Sequence, residues 1–511
     1  MTRILPILLI VSLLLSGCGA LMPAEDDAQI EQQIDVLLES YDQETTQEVD
    51  DSFALGYNPS SPLHPHTCTD YSNQALVSLM YQSLYVVDSS FHAHPQLASS
   101  YTVSADGMTH QIAISGDLSF SDGSPLTILD VIDSLNSANA KGVFAGRLYQ
   151  ITSIESSGLY TMTITTAVPM EQLPQLLNIP IVKSETLADD VPVGSGNYTL
   201  SMTMQRLTTD TPLGSLPHVI PLVTVTDATN IRDNFSYGDI DLVFTDPNDG
   251  SRVPYLADFE LWSVPTTNLQ YIGFQTNGSV FNNAELRRAI TYAIDRSSIV
   301  TTEASGFAVA TTLPISPNAP GYDPVLAEDY EYNLGKFQQI LTDASIEDMD
   351  EDGLLDRFTS TSTENLEIRF ITASDAYQRT ATAQRIADQL TQLGFVVTLD
   401  LLTQSDYSAA LQSGNYDMYL AEARLSPNFD LTPFFEDGGS LSYGGIAQDT
   451  MVYLCGQFLE NSGNGYNLHK AVMDSGFLCP ILVKTNALYT TRGKYSGFAP
   501  CLNHPFWEVT S

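Results

Sequence analysis

Basic residues are scarce in this chain of 511 residues, which carries 20 Lys and Arg against 61 Asp and Glu and has a formal net charge of -41. Phosphate backbones and anionic lipid surfaces are bound mainly through basic side chains, so this balance argues against nucleic acid and against an anionic membrane surface as partners. The 43% share of hydrophobic residues is still sufficient for a large core. At roughly 100–200 residues per domain, the length predicts two or three lobes.

The sequence also lacks the usual signatures of catalytic sites. It contains no GxSxG nucleophile elbow, no HExxH zinc motif, and no pairing of Cys with His whose spacing favours nucleophilic catalysis. Among 61 acidic residues, carboxylate pairs arise by chance, so a glycosidase-like pair cannot be inferred. We therefore predict that the protein is not an enzyme and needs no cofactor.

The apolar run at residues 4–15 is too short for a transmembrane helix of about 20 residues. It follows Arg3 and leads into Leu15-Ser16-Gly17-Cys18, a pattern typical of a secretory signal with a lipobox. By resemblance to bacterial lipoproteins, residues 1–18 are expected to be a signal peptide, with Cys18 carrying a lipid anchor. The acidic residues 19–52 then predict a tether between the membrane and the folded body.

Candidate metal ligands lack the spacing of a tight site. Imidazole and thiolate groups that suit Zn²⁺ or Ni²⁺ occur at His64, His66, Cys68, His92 and His94. They include no pair of histidines at i, i+4 spacing and no CxxC motif, so we predict no metal site. Outside the cytosol, four cysteines could form two disulfides in three connectivities or remain free thiols, and their spacing does not decide between these: Cys68, Cys455, Cys479 and Cys501.

An acidic loop at residues 348–356 places carboxylates at positions 1, 3, 5 and 9 of an EF-hand-like pattern, with Gly353 at position 6. Position 12 is Thr359 instead of a bidentate glutamate. The loop is therefore either a weak calcium site or a simple acidic turn, and the sequence leaves both open.

Two strands, a tight turn and a capped helix can be read in order from residues 97–135. Residues 110–114 alternate as a half-buried strand does, Asp106-Gly107 supplies a turn, and Thr127 stands at capping-box spacing from Asp130. The motif P-x-LA-x-x-Y-x-x-S-x-DG-x-T, followed by FSDG-x-PLT-x-x-DV-x-x-S, resembles the signature region of family 5 extracellular solute-binding proteins, the oligopeptide and dipeptide type.

Later stretches agree with this resemblance in the same order. Residues 281–296 match the family motif ending in AIDR and read as an amphipathic helix with Asn283 as N-cap. The turn at residues 192–198 resembles the family's PVGTGPY segment, and a helix is expected to run through Leu76, Leu79 and Met80 to Tyr85. From Leu366 onward, strands and helices alternate, which predicts parallel βαβ pairing. Matches run from about residue 53 to 507.

The resemblance implies an α/β fold of the periplasmic-binding-protein-like type II, with two lobes, a hinge and an additional domain inserted in the first lobe. The expected boundaries are residues 53–81, 190–275 and 475–511 for lobe I, 82–189 for the inserted domain, and 276–474 for lobe II. It implies a lipid-anchored extracytoplasmic binding component of an ABC importer, which binds a small ligand between the lobes and delivers it to permease subunits. A peptide is the favoured ligand, and a sugar or metal chelate stays open. The alternative is a surface-anchored sensor or adhesin that uses the same fold without transport.

Peptide-binding relatives carry an A-D-Y-x-(D/E)-P motif whose first acidic residue receives the peptide ammonium group. This chain departs from the motif, with Ser426 or Pro427 at that place and Asp430 as the nearest carboxylate. A charge-assisted bond to ammonium needs a carboxylate, so Asp430 is the candidate for the role. The predicted ligand-binding residues are Tyr57 and Asn58 in the first lobe and Arg424, Asn428, Asp430 and Tyr443 in the second.

Overall fold

The computed structural model describes residues 53–248, 254–358, 362–494 and 497–509. The predicted signal peptide, the predicted lipid attachment at Cys18 and the acidic tether fall outside these residues. Within the described ranges, none of the helices combines the length and apolar character needed to span a bilayer.

The described strands are numbered in chain order. They are β1 Leu55–Tyr57, β2 Tyr85–Val87, β3 Ala93–Pro95, β4 Ala98–Val103, β5 Thr109–Ile114, β6 Ile151–Gly158, β7 Thr161–Thr166, β8 Thr199–Ser201, β9 Arg206–Thr208, β10 Val219–Thr224, β11 Leu242–Thr245, β12 Phe259–Phe274, β13 Ala308–Ala310, β14 Asp356–Phe358, β15 Thr363–Asn365, β16 Glu367–Ala373, β17 Val396–Leu402, β18 Met418–Arg424 and β19 Leu478–Thr491.

The α-helices are numbered in the same way. They are α1 Tyr71–Met80, α2 Ile128–Ala140, α3 Leu173–Leu176, α4 Ala228–Tyr237, α5 Ala284–Ala293, α6 Arg296–Thr302, α7 Pro324–Asp329, α8 Leu334–Asp343, α9 Tyr377–Gln392, α10 Gln404–Ser413, α11 Thr432–Phe435, α12 Asp449–Glu460 and α13 Gly465–Ser475.

One mixed sheet runs through both halves of the folded body, in the order β17-β16-β18-β12-β19-β11-β1-β10-β9-β8, with β13 added beside β19. The long antiparallel strands β12 and β19 cross from one half to the other. Their register shifts between Pro265 and Leu269. The hydroxyl of Thr266 donates to the carbonyl of Lys484 at 2.7 Å, and the hydroxyl of Thr267 donates to the carbonyl of Leu425 at 2.7 Å. The two halves therefore join at a hydrogen-bonded irregularity.

The buried apolar residues form separate clusters along this sheet. The largest collects side chains mainly from residues 269–483. A second draws on residues 53–81, 182–264 and 488–509, and a third lies around the four-stranded sheet β4-β5-β7-β6. Val87 and Phe91 pack with the largest cluster, although in the chain they come just before the four-stranded sheet, which begins at Ala98.

The signature region folds as its pattern predicts. Strands β4 and β5 form a hairpin that closes at Gly107, whose φ of 71° is the left-handed region that glycine tolerates. The Asp130 carboxylate accepts hydrogen bonds from the backbone N–H and the hydroxyl of Thr127, at 2.9 and 2.8 Å. It also accepts the backbone N–H of Ser184 at 3.0 Å. Asp130 thus ties α2 to the chain that returns from the inserted region, which is a scaffold role.

Further predicted elements are confirmed. Asn283 caps α5 by accepting the N–H of Glu285 at 2.9 Å, and the predicted apolar face of that helix is buried. Strand β16 pairs in parallel with both β17 and β18, as the alternation of strands and helices predicted. Gly414 ends α10 with a left-handed φ of 71°.

The predicted helix to Tyr85 is wrong at its C-terminal end, because α1 stops at Met80. The carbonyls of Leu79 and Met80 accept hydrogen bonds from Tyr198 and Gly196 instead of from the next helical turn. A Cβ on Gly196 would lie 2.4 Å from the Leu79 carbonyl oxygen, so only glycine permits this approach. The turn at residues 192–198 therefore sets where α1 ends.

Candidate ligand-binding cleft

Two cavities meet at Phe244, the third residue of β11. The first opens where β1, β10 and β11 end and includes Asn58 in its wall. The second is lined by Phe244, by Phe144 of the inserted region and by Arg424 at the end of β18. Crevices at the carboxyl ends of parallel strands are common ligand sites in α/β folds, because loops and helix N-termini meet there.

Arg424 is the predicted site residue with the clearest place in this cleft. Its backbone pairs with Asn268, next to the irregularity that joins the two halves. The residue keeps part of its surface open to solvent. Protein atoms around the guanidinium remove part of its hydration, and this desolvation lowers the pKa of the group. Within the described part of the chain, it has no hydrogen-bond acceptor and no carboxylate within 4.0 Å. Arg424 is thus a cation directed into the cavity.

Arg147 is a second cation beside the cleft. Its Nη1 donates to the carbonyl of Asn178 at 3.1 Å, and its guanidinium lies 4.6 Å from the centre of the Phe144 ring. Asn178 and Phe144 both belong to the cavity wall. Burial, together with the nearby positive charge of Arg424, lowers the pKa of Arg147 to about 9, so it stays cationic at neutral pH.

Arg296 is a buried arginine with several acceptors around it. Arg296 donates to the carbonyls of Pro480, Thr291 and Ile294 and to the sulfur of Cys479. Carbonyl groups satisfy these donors without a counter-ion, as expected for an arginine that stabilises the fold. Arg424 has no comparable set of acceptors, which distinguishes it from the structural arginines.

Asp430 lies close to these cations in the chain but has other partners. Its side chain is only 5% exposed, and it accepts the backbone N–H and the hydroxyl of Thr432, at 2.8 and 2.6 Å. Its second oxygen accepts the phenolic hydrogen of Tyr149 from the inserted region. The neighbouring Asn428 is buried and accepts the hydroxyl of Ser426 at 2.6 Å.

The predicted residues of the first lobe lie at the end of β1. Tyr57 is buried, whereas Asn58 borders the larger cavity and donates from Nδ2 to the carboxylate of Asp70 at 2.8 Å. The structure therefore brings Asn58 and Arg424 to cavities that share Phe244.

Tyr443 lies elsewhere. Its ring contacts that of Tyr419, with centroids 6.3 Å apart. Tyr419 precedes Arg424 on β18 by about 17 Å, at roughly 3.4 Å per residue. The structure thus separates Tyr443 from the cavity that Arg424 lines.

Lys484 of β19 forms a charge cluster at the junction of the halves. Its ammonium lies 3.5 Å from Asp246, which follows β11, and 3.2 Å from Glu422 of β18. Glu422 also accepts a hydrogen bond from Gln270 at 3.1 Å. The Lys484 side chain is 7% exposed, so this ionic cluster is largely shielded from water.

The described cysteines form no disulfide, and three of the histidines considered as metal ligands hydrogen-bond to other groups of the protein. Cys68, Cys455, Cys479 and Cys501 are buried free thiols. The imidazole of His64 hydrogen-bonds to the carbonyl of Leu187, and that of His66 to the carbonyl of Pro180. The imidazole of His94 hydrogen-bonds to the carboxylate of Asp88.

The acidic loop brings together the carboxylates of Asp348, Asp350 and Asp356. Asp348 and Asp356 accept backbone N–H groups of the same loop, as an acidic turn does, and calcium binding stays the untested alternative.

Sequence reasoning missed Arg147, Tyr149, Phe244 and Lys484. With only 20 basic residues in the chain, every cation was a candidate for ligand binding, and this weak signal applied to Arg147 and Lys484. The sequence carries no comparable signal for Phe244, because an apolar residue in a buried strand normally packs in the core.

Comparisons with known proteins agree with this architecture. The sequence pattern described as bacterial extracellular solute-binding proteins, family 5 middle, matches residues 92–440. The glutathione-binding protein GsiB of Salmonella typhi is 26% identical over 319 residues, which are 58% of this chain and 61% of that protein. GsiB of Shigella flexneri is 25% identical over 315 residues, 57% of this chain and 60% of that protein. These matches span about three-fifths of the relatives' own length.

Solved structures show the same fold at low sequence identity. The murein tripeptide binding protein MppA, in an unliganded open form, has a TM-score of 0.71 at 14% identity and covers 90% of this chain and 96% of its own. NikA from Brucella suis, in complex with Fe(III)-EDTA, has a TM-score of 0.67 at 18% identity, with 88% and 97% covered. The α/β fold with two lobes and an inserted domain that the sequence predicted is therefore confirmed.

Proposed function

Because this chain belongs to the bacterial extracellular solute-binding proteins of family 5, we propose that it is the binding component of an ABC importer, anchored outside the cytoplasm by a lipid on Cys18. It binds a small solute, with a peptide as the favoured class, and delivers it to permease subunits. Members of the family are transport components without catalytic activity, and we extend that to this chain. The signal and lipobox pattern at residues 4–18 supports the anchor.

One observation carries the binding role. A single cavity is lined by Phe244 of the first half, Phe144 of the inserted region and Arg424 of the second half. These residues belong to, or adjoin, three different apolar clusters that are joined through β12 and β19. A cavity whose walls come from separately packed units can open and close around a solute, as hinge-closing binding proteins do.

We assign the lobes within this proposal as residues 53–81, 190–275 and 475–511 for lobe I, 82–189 for the inserted domain and 276–474 for lobe II. The packing of the three clusters supports the division except in the crossing strands, where residues 269–274 and 478–483 pack with the largest cluster. The placement of Val87 and Phe91 with the largest cluster indicates that the hairpin β2-β3 contacts lobe II. Of the predicted ligand-binding residues, Asn58 and Arg424 have direct support from the cavity walls.

Binding and transport can be tested together. The mature chain would be screened by thermal shift and calorimetry against di- to octapeptides, sugars and metal chelates. Small-angle scattering would then record whether a stabilising solute makes the protein more compact. We expect at least one solute to do both, and cells in which the cognate permease is disrupted to lose uptake of that solute. Binding without any effect on uptake would favour the sensor or adhesin.

Lipid attachment needs its own measurement. Cells fed with a labelled fatty acid should incorporate the label into the wild-type chain and not into Cys18→Ser. A labelled Cys18→Ser chain, or a wild-type chain found free of lipid, would contradict the anchor.

A further inference from the structure

Two arginines adjoin one cavity in a chain that has 41 more negative than positive charges. Arg147 packs on two residues of the cleft wall, and Arg424 lines the same cavity. In the described ranges, no carboxylate oxygen approaches either guanidinium within 4.0 Å. Like charges held together in surroundings of low polarity repel each other, so the folded protein maintains this pair at a cost.

Other arginines of the described chain differ from this pair in their partners. Three of them donate hydrogen bonds to protein acceptors. Arg296 donates to carbonyl groups, Arg369 to the carboxylate of Asp400 at 2.9 Å, and Arg385 to the carboxylate of Glu303 at 2.9 Å. The chain therefore had carboxylates and carbonyls available to satisfy arginines. Arg147 donates to one carbonyl, that of Asn178, and Arg424 lines the cavity without any such acceptor. Because neither has an anion as partner, we infer that the anion comes from outside.

The neighbouring acidic residue does not offer the opposite charge to a ligand. Asp430 is buried and already accepts three hydrogen bonds, two from Thr432 and one from Tyr149. A ligand ammonium would have to displace one of these donors. The wall of the cavity that Arg424 lines contains no acidic residue among the described ones, whereas Asp70, Asp227 and Asp246 belong to the adjoining cavity. The charge presented to a solute beside Arg424 is therefore positive.

We propose that this cleft selects small solutes bearing at least two carboxylates, with Arg424 and Arg147 each binding one. The inference rests on the proposed binding function and names its substrate class. Guanidinium groups pair with carboxylates through two parallel hydrogen bonds, which gives orientation as well as affinity. Peptides with acidic side chains, polycarboxylic acids and carboxylate-rich chelates belong to the class, whereas neutral sugars and peptides with blocked carboxyl groups do not.

The first test compares matched acids and their uncharged forms. Succinate, citrate and glutathione would be titrated by calorimetry beside succinamide, citramide and glutathione diethyl ester. We expect measurable binding of at least one acid and at least 10-fold weaker binding of its uncharged form. Arg424→Gln should weaken the acid at least 10-fold, and Arg147→Lys, which keeps the charge, should retain more affinity than Arg147→Gln. The matched control is Arg385→Gln, which removes the same charge from the pair with Glu303 and should change affinity less than twofold.

The outcomes separate two failures. Uncharged solutes that bind as tightly as the acids, or acids whose affinity survives Arg424→Gln, overturn the proposed class while leaving a binding protein. Failure of every compound to bind counts against the proposed function, and a second measurement then decides on the charge of the cleft.

That measurement labels the wild-type protein with phenylglyoxal, which modifies accessible guanidinium groups, and identifies the labelled residues by mass spectrometry. We expect Arg424 to be modified before Arg296, and 50 mM citrate to slow its modification at least fivefold while leaving Arg385 unaffected. Citramide should give no protection. Equal labelling rates with and without citrate would overturn the inference even if no cognate solute is known.

Discussion

Tyr149 of the inserted region donates its phenolic hydrogen to the carboxylate of Asp430 in the second half of the sheet. The same carboxylate orients Thr432 at the start of α11. Burial, followed by the adjacent negative charge, raises the pKa of the Tyr149 phenol, so it remains a donor throughout the physiological range. The contact therefore fastens the segment that carries Arg147 to the loop that follows Arg424.

We expect Tyr149→Phe and Asp430→Asn each to lower the free energy of unfolding by about 1 kcal/mol, because each weakens a hydrogen bond to a charged group. Tyr149 is 44% exposed, so the effect should lie toward the lower end for such bonds. Urea denaturation of both single variants and the double variant measures the coupling, and the double variant should lose less than the sum.

Strict additivity would contradict a direct interaction between the two side chains. Asp430 also carries the ammonium role predicted from the sequence, and the same variants test it. A loss of affinity in Asp430→Asn confined to peptides with a free N-terminus, with unfolding unchanged, would support that role instead of the contact with Tyr149.

Replacing Lys484 by Met should strongly destabilise the protein. The change leaves the carboxylates of Asp246 and Glu422 partly buried without their cation, which typically costs about 3 kcal/mol or more. Urea denaturation would measure the loss. Lys470→Met is the matched control, because its pair with Asp474 is solvent-exposed and should contribute less than about 1 kcal/mol. Equal effects of the two substitutions would show that the cluster at Lys484 is not shielded from water.

Two buried histidines predict lower stability in mild acid. Burial lowers the pKa of His66 and that of His469 from 6.5 to about 4 in the folded protein. Between these values the unfolded chain binds protons that the folded chain does not, so the free energy of unfolding must fall as the pH decreases from 6.5 towards 4. Each histidine contributes up to about 3 kcal/mol over this window.

Urea denaturation at several pH values checks this dependence. His469→Leu should flatten the decline between pH 6.5 and 4, because its side chain, 1% exposed, no longer takes up a proton on unfolding. His92→Gln, at a histidine whose side chain is 63% exposed, serves as the control and should leave the slope unchanged. A decline of the same size in His469→Leu would show that other groups cause it.

Asp130→Asn should destabilise the inserted region without altering solute binding directly. The carboxylate accepts three hydrogen bonds, and weakening them should cost about 1–2 kcal/mol, as the loss of a helix-capping residue does. Hydrogen exchange of α2 would locate the effect. Asp117→Asn, at a solvent-exposed turn, is the control. Protection of α2 that is unchanged in Asp130→Asn would contradict the scaffold role.

Much of the fold follows from local sequence. The hairpin at Asp106-Gly107, the cap at Asp130 and the stop at Gly414 depend on residues within a few positions of each other, so their patterns were sufficient. The end of α1 was not predictable in this way, because it depends on Gly196, more than a hundred residues later in the chain.

The site was less accessible to sequence reasoning for the same reason. Arg424 could be singled out because it follows a recognisable strand in a loop that departs from the family motif. Its relation to Arg147 depends on how the inserted region packs against the second half, and no local pattern encodes that distance. Tyr443, in a nearby loop of the sequence, was predicted to bind the ligand. In the structure its ring packs against Tyr419, away from the cavity.

The position of β19 in the sheet has a consequence for how this chain acquires its structure. Formed by residues 478–491, it is the last strand described, yet it lies between β12 and β11 and joins the two halves. Until it is in place, the sheet lacks the strand that connects β17-β16-β18-β12 with β11-β1-β10-β9-β8. Neither half can complete its hydrogen-bonded ladder until almost the entire chain has emerged. A protein exported as an extended polymer would thereby be kept from folding too early, on the wrong side of the membrane.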